Sequence, residues 1–402
     1  MRRPLALLTL FAAHWLTACG QGAVCGQSQV EPGPDEELGA FLYQHDTVLD
    51  LQILMDAEAL EGLPEATGEQ IDDVHATVVF EGQEWAGGLR LKGDSSFRKI
   101  DKKAAFKIDF GEFETGHTFY GVRRLTLNNM VQDESMLSEN LAYWLHAAMG
   151  GVAPRQGYAC VRVNGDDYGL YGLVETMDEQ FVQRHFDDPS GVLYEGGKGA
   201  DIRQGRMELF EIEDAGVPEG RGDIVALTEA MDAATPETFM DVLGDHFVLD
   251  ELLRTWAVEL YAGNIDSYIT RSNNFLLYHQ PVPNTWTMIP WDEDQAFQGD
   301  LDPYDPYDAE VPAEHGRLFE DCLASDACVE ALIGHIEDVI LLAEDEGLLE
   351  HALDQRAMIF DLIRSDPRSD CSRHCARSAQ RQALSFIRQR PDSIQQRLEA
   401  AR

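Results

Sequence analysis

The dominant hydrophobic period of this chain lengthens from its first half to its second, and that change limits its fold more than any other feature. Over the first half, apolar residues recur at every second position. Residues 48–54, 74–80, 85–91 and 104–110 each alternate well enough for a strand. Residues 158–163 and 168–175 flank Asn164-Gly165-Asp166-Asp167. That is a hairpin signal, because Asn-Gly accepts the left-handed backbone of a tight turn. One helix interrupts, over 134–149, with Leu137, Leu141, Trp144, Leu145 and Ala148 on one face and Gly150-Gly151 as its stop. Beyond Glu175 the period lengthens. Residues 177–186, 224–233, 236–243 and 250–262 read as helices, short strands are expected at 275–279 and 285–289, and residues 191–223 read as a loop. From Glu320 the pattern is helical almost to the end, broken near Asp366-Pro367 and Pro391. The expectation is an α+β chain, with a strand-rich first lobe over 45–176 and a helix-rich second lobe over 177–402.

The N-terminus points to a compartment. Arg2 and Arg3 precede an apolar run of residues 5–16, shorter than the roughly 20 residues needed to span a bilayer. This fits a secretory leader. Leu16-Thr17-Ala18-Cys19-Gly20 resembles a lipobox, so residues 1–18 are expected to be removed and Cys19 to carry lipid. Gly20 after the cysteine favours the outer membrane by the same resemblance. The placement expected is the cell envelope, with lipid as the sole membrane contact. Residues 19–44 read as a tether. The other six cysteines are an even number, suited to disulfides in an oxidising compartment. Cys322/Cys328 and Cys371/Cys375 could close local loops, and cross-pairing is equally open.

Charge excludes one class of partner. The 402 residues hold 72 acidic against 31 basic side chains, a formal net charge of −41. Such a surface repels a phosphate backbone, so no nucleic-acid partner is expected. Against it, Arg90, Lys92, Arg98, Lys99, Lys102, Lys103 and Lys107 form a basic island around a Gly-Ser turn. Cations beside small residues suit polyphosphate, since backbone N–H groups can approach the oxygens. Alternation puts Lys103, Ala105 and Lys107 on one strand face and cannot separate the two lysines. The remaining acidity favours basic or neutral acceptors.

Two acidic loops follow apolar segments. One holds Asn264-Ile265-Asp266 and then Asn273-Asn274; the other is Pro290-Trp291-Asp292-Glu293-Asp294. Transfer of a phosphoryl group needs an acid to orient the hydroxyl, an Asn and an Asp for a divalent cation, and a Lys for the phosphates. Other motifs fail. Gly196-Gly197-Lys198-Gly199 lacks the Ser or Thr of a phosphate loop, and Asp300–Asp305 lacks the Gly and Glu of a calcium loop.

Taken in order, several segments resemble the CotH kinase family, secreted kinases similar to spore coat protein H. Leu89–Ser96 resembles its R-x-R-G-x-S-S turn, with Lys92 for the second Arg. Residues 103–110 resemble its K-x-x-[YF]-K-[IL]-x-F strand. Leu127-Asn128-Asn129 to Asp133, and Val163-Asn164-Gly165 with Tyr168 to Glu175, match its asparagine turn and hairpin. The resemblance covers about residues 46–398. It implies a two-lobed, atypical protein-kinase-like fold that uses ATP with Mg²⁺ or Mn²⁺ to phosphorylate Ser or Thr of secreted or surface proteins. It implies Asp266 as the catalytic acid and Lys103 or Lys107 as the phosphate contact. Arg90, Lys92, Gly93, Ser95 and Ser96 would border the nucleotide, and Glu175 would lie near adenine. Asn274 or Asn273 would hold metal with Asp294, Asp292 being the rival. Glu139 could pair with the lysine, although a solvent-facing glutamate is the plainer expectation. The eight-residue step from Asp266 to Asn274 requires a bulged loop. The competing reading is a catalytically weak surface adhesin or envelope assembly protein with the same fold.

Overall fold

The computed structural model describes residues 39–67, 71–213, 221–307 and 315–401. The leader, Cys19 and most of the tether lie outside the described residues. Seven strands close into a barrel: β1 (Val48–Leu54), β2 (Val74–Phe80), β3 (Gln83–Lys92), β4 (Ala105–Asp109), β5 (Arg124–Asn128), β6 (Gln156–Val163) and β7 (Asp166–Val174). Their order is β1-β2-β3-β4-β5-β7-β6, and the parallel pairing of β1 with β6 shuts the ring. Asn164 and Gly165 both have positive φ, forming the two-residue turn read from the sequence. Two helices, α1 (Ala57–Gly62) and α2 (Ser138–Ala148), belong to this half.

The period-two pattern fixes the barrel's faces. Leu89, Leu91, Phe106, Ile108, Leu125 and Leu127 fill the inside. Alternate residues on the same strands therefore point outward, among them Arg90, Lys92, Lys107, Thr126 and Asn128. Phe41, Leu42 and Tyr43 are also buried in this core. The end of the expected tether is thus packed structure, a 3₁₀ turn at Ala40–Tyr43. Its three large apolar side chains outweigh the polar composition before them.

The second half holds α3 (Glu179–His185), α4 (Gly222–Ala233), α5 (Phe239–His246), α6 (Leu249–Ala262), α7 (Tyr268–Arg271), α8 (Arg317–Leu323), α9 (Asp326–Asp345), α10 (Leu348–Ser365) and α11 (Arg373–Ala401). A four-stranded antiparallel sheet lies among them, with β8 (Val192–Gly196), β9 (Glu211–Ile212), β10 (Phe275–Gln280) and β11 (Thr285–Pro290) in the order β11-β10-β8-β9. The α+β layout read from the sequence is the one found. Within the segment read as a loop, β8 and β9 are strands, because β8 finds its partner in β10, some 80 residues away. Helix α6 runs through the main core, with Trp256, Ala257, Val258 and Leu260 buried. Gly263 ends α6 with φ 62°, and a side chain there would strike the Gly299 carbonyl oxygen. That tight corner sends Asn264 and Asp266 into their loop. Disulfides join Cys322 to Cys328 and Cys371 to Cys375, so both pairs are local. No described helix is long and apolar enough to cross a membrane.

Candidate active site

A cleft of about 1050 Å³ opens between the outward face of β3–β5 and the loops around β8, β10 and β11. Arg90, Lys92, Gly93, Ser95, Ser96 and Lys107 line its barrel side. Asp266, Asn273, Asn274 and Asp292 line the other. Gly93 has φ 105°, which only glycine adopts readily, and turns the chain after β3. Buried Asn129 ties this turn down, its Nδ2 donating to the Ser96 carbonyl at 3.0 Å and the Lys103 carbonyl at 2.8 Å.

The catalytic-loop candidates converge by a simple device. The single turn of α7 and left-handed Ser272 (φ 47°) take up the long spacing, returning the chain to Asp266. The Nδ2 groups of Asn273 and Asn274 each donate to Asp266 Oδ2 at 3.2 Å, and Gln295 Nε2 donates to the same oxygen at 3.0 Å. Asn274 Nδ2 also reaches the Asp292 carbonyl oxygen at 3.4 Å. Pairing of Phe275 with Pro290 places Asn274 beside the Trp291-Asp292 turn. Burial raises the Asp266 carboxyl, while Arg271 and the two asparagine amides restrain the rise.

Helix α2 supplies the surprise. Glu139, Tyr143 and His146, spaced four and three apart, share a face turned toward the 3₁₀ turn at Glu293–Gln295. Glu139 is 1% exposed, not solvent-facing. The helix is buried on more than its apolar stripe, which amphipathic spacing cannot reveal. Glu139 accepts from Asn128 Nδ2 at 3.1 Å and Gln156 Nε2 at 3.3 Å. Burial pushes its carboxyl up to about 8; Asp292 adds to the rise and Lys92 opposes it. Lys92 opposes the same rise at Asp292. Lys92, at the end of β3, thus acts on both the helix acid and the loop acid.

Three expected residues lie elsewhere. Lys103 is 1% exposed, paired with buried Asp366 after α10, and outside the cleft. The chain turns before β4 begins at Ala105, so the alternation that places Lys107 does not extend to Lys103. Glu175 is held by Arg155 and Arg184 at a separate cavity of about 220 Å³. Asp294 is buried behind the cleft, and its rival Asp292 lines it. Burial, then Asp292 and Glu139, raise the Asp294 carboxyl well above the usual range. Sequence reasoning missed Glu195, which β8 brings opposite Lys107, and Lys198, which acts on Asp266. Both sit in the segment dismissed as a loop, and its Gly-Gly-Lys-Gly was the available signal.

Two outcomes follow. Lys103→Ala leaves Asp366 buried without its cation and should cost about 3–5 kcal/mol in denaturant unfolding. Lys107→Ala, at a half-buried position, should cost clearly less stability than Lys103→Ala. Equal stability loss in both variants would refute this division. Glu139 keeps its proton in the fold over a range where the unfolded chain, with an ordinary value of 4.5, has lost it. The folded state then binds more protons, so stability falls as pH rises from about 4.5 to about 8. Thermal unfolding in chelator should show that fall, and Glu139→Gln should flatten it.

The inner spore coat protein H of Bacillus subtilis (strain 168) is 22% identical over 209 residues, 50% of this chain and 56% of the relative. The chain thus matches a little over half the length of that curated relative. The crystal structure of a Helicobacter pylori proinflammatory kinase, CtkA, aligns over 82% of this chain and 95% of its own, at 9% identity and a TM-score of 0.29. The family model described as CotH kinase protein matches residues 89–394, well over half of the sequence, and the chain belongs to the CotH kinase family.

Proposed function

We propose that this chain is an ATP-dependent protein kinase of the CotH type, transferring the γ-phosphoryl group to Ser or Thr of secreted or surface proteins. The observation that carries the reading is the pairing of Asp266, Asn274 and Asp292 on one wall of the cleft with Lys92, Lys107 and the Gly93–Ser96 turn on the other. Asp266 is fixed through one oxygen by three amide donors, a suitable arrangement for orienting an acceptor hydroxyl and receiving its proton. Lys92 and Lys107 would neutralise phosphate oxygens.

The donor set fits a hard divalent cation. Asp292 offers carboxylate oxygens, and Asn274, whose Nδ2 is already engaged, offers its amide oxygen. Mg²⁺ or Mn²⁺ held there supplies charge neutralisation of the transferring phosphoryl group. Asp294 is better suited to supporting that turn from behind. Glu195, Glu211 and Glu213 line the cleft as well, which supports a basic or neutral acceptor. The leader-like N-terminus, the lipobox at Cys19 and a relative that is a spore coat protein support an extracytoplasmic, lipid-anchored placement, with the outer membrane favoured.

Incubation of the secreted chain with labelled ATP and Mg²⁺ or Mn²⁺ tests the assignment. Label should enter protein Ser or Thr, and Asp266→Ala or Asp292→Ala should reduce the rate at least about a hundredfold. Equal incorporation by wild type and variants would sink the kinase reading. Nucleotide binding without transfer would favour the adhesin or assembly role.

A further inference from the structure

Behind the cleft, three side chains meet for which the kinase reading has no use. His146 from α2, Glu259 from the last turn of α6 and Glu293 from the turn after Asp292 are each at most 3% exposed. His146 Nε2, Glu259 Oε2 and Glu293 Oε1 are buried without a hydrogen-bond partner. One ligand atom from each of the three lies within 4.8 Å of the other two. Buried polar atoms are nearly always satisfied, and buried carboxylates need a compensating charge.

We propose that His146, Glu259 and Glu293 form a buried structural site for a divalent first-row cation, distinct from the metal of the cleft. Two carboxylates neutralise such an ion, and an imidazole nitrogen favours zinc over magnesium or calcium. Bonds of about 2.1 Å would draw the three atoms together by small side-chain adjustments. The supporting shell is present: Asn264 Nδ2 donates to Glu293 Oε2 at 3.0 Å, fixing one oxygen and leaving Oε1 for the ion. The Asn264 Oδ1 in turn accepts from the Asp266 backbone N–H at 3.0 Å. Ligating carboxylates are commonly held this way. The ion would pin α2, which carries Glu139, to the end of α6, which leads to Asp266, and to the turn that carries Asp292. It would be taken up as the chain folds, since no ligand atom reaches solvent.

The test uses the full secreted chain purified without a histidine tag, dialysed against chelator, with metal counted by mass spectrometry. About one zinc ion per chain is expected in wild type and in Asp292→Asn, which alters only the cleft site. His146→Gln and Glu293→Gln should each bind zinc at least about tenfold more weakly. Should those variants fail to fold, X-ray absorption at the zinc edge of wild type decides, with one nitrogen and otherwise oxygen neighbours expected. Wild type that holds no ion as purified, and takes up none when refolded with added zinc, would overturn the site, leaving two glutamates that share a proton. A sulfur neighbour, or zinc retained at full affinity by folded His146→Gln, would also overturn it.

Discussion

Carboxyl groups gathered in one interior, with too few cations among them, are the constraint on which the rest of this structure depends. Asp292 on the cleft wall influences buried Glu139 and Asp294, and Glu259 and Glu293 are buried as well. A buried carboxylate without compensation costs several kcal/mol. The fold answers with amides: Asn128 from β5, Asn264 after the Gly263 corner, Asn273 and Asn274 after α7, and Gln295. Each is delivered by the end of an element, which is why the helix, barrel and loops must meet at this point. Lys92 is the cation set among these acids, acting on both Glu139 and Asp292. A nucleotide-bound metal at the front and a structural ion at the back would complete the compensation.

The basic island first read as one phosphate surface divides into two uses. Arg98 pairs with Asp370 at 2.8 Å, Lys99 with Glu65, and Lys103 with Asp366. Two of these bonds reach to the segment between α10 and α11, so they lock the C-terminal helices onto the barrel. Arg90 pairs with Asp73 at 2.9 Å at the cleft margin. Lys92 and Lys107 line the cleft from the barrel side, and Lys198 and Arg271 line it from the other. In so acidic a chain, a cluster of bases marks where acids must be matched as much as where a ligand is held.

Much of this was legible in the sequence, for local reasons. Period-two alternation located most barrel strands, and Asn164-Gly165 fixed the hairpin, because those signals depend on neighbours in the chain. Strand β5 was hidden because Leu127-Asn128-Asn129 reads equally as a turn. Strands β8 and β9 were hidden because β8 gains its identity from distant β10. Asp266, Asn274, Asp292, Lys92 and Lys107 were all named, and the structure brings them to one cleft. The choice between lysines depended on where the chain bends before Ala105, and that between Asp292 and Asp294 on which side of a 3₁₀ turn faces inward. Burial of Glu139 was out of reach, since a polar helix face looks the same whether water or another loop covers it.

The central claim is that Asp292 and its neighbours hold the cation of a bound nucleotide. Phosphorus-31 electron–nuclear double resonance of the protein with Mn²⁺ and ATP measures that contact directly. The account predicts phosphorus coupling to protein-bound Mn²⁺ in wild type and its loss in Asp292→Asn. Bound Mn²⁺ with no phosphorus coupling, or coupling unchanged in Asp292→Asn, would contradict it.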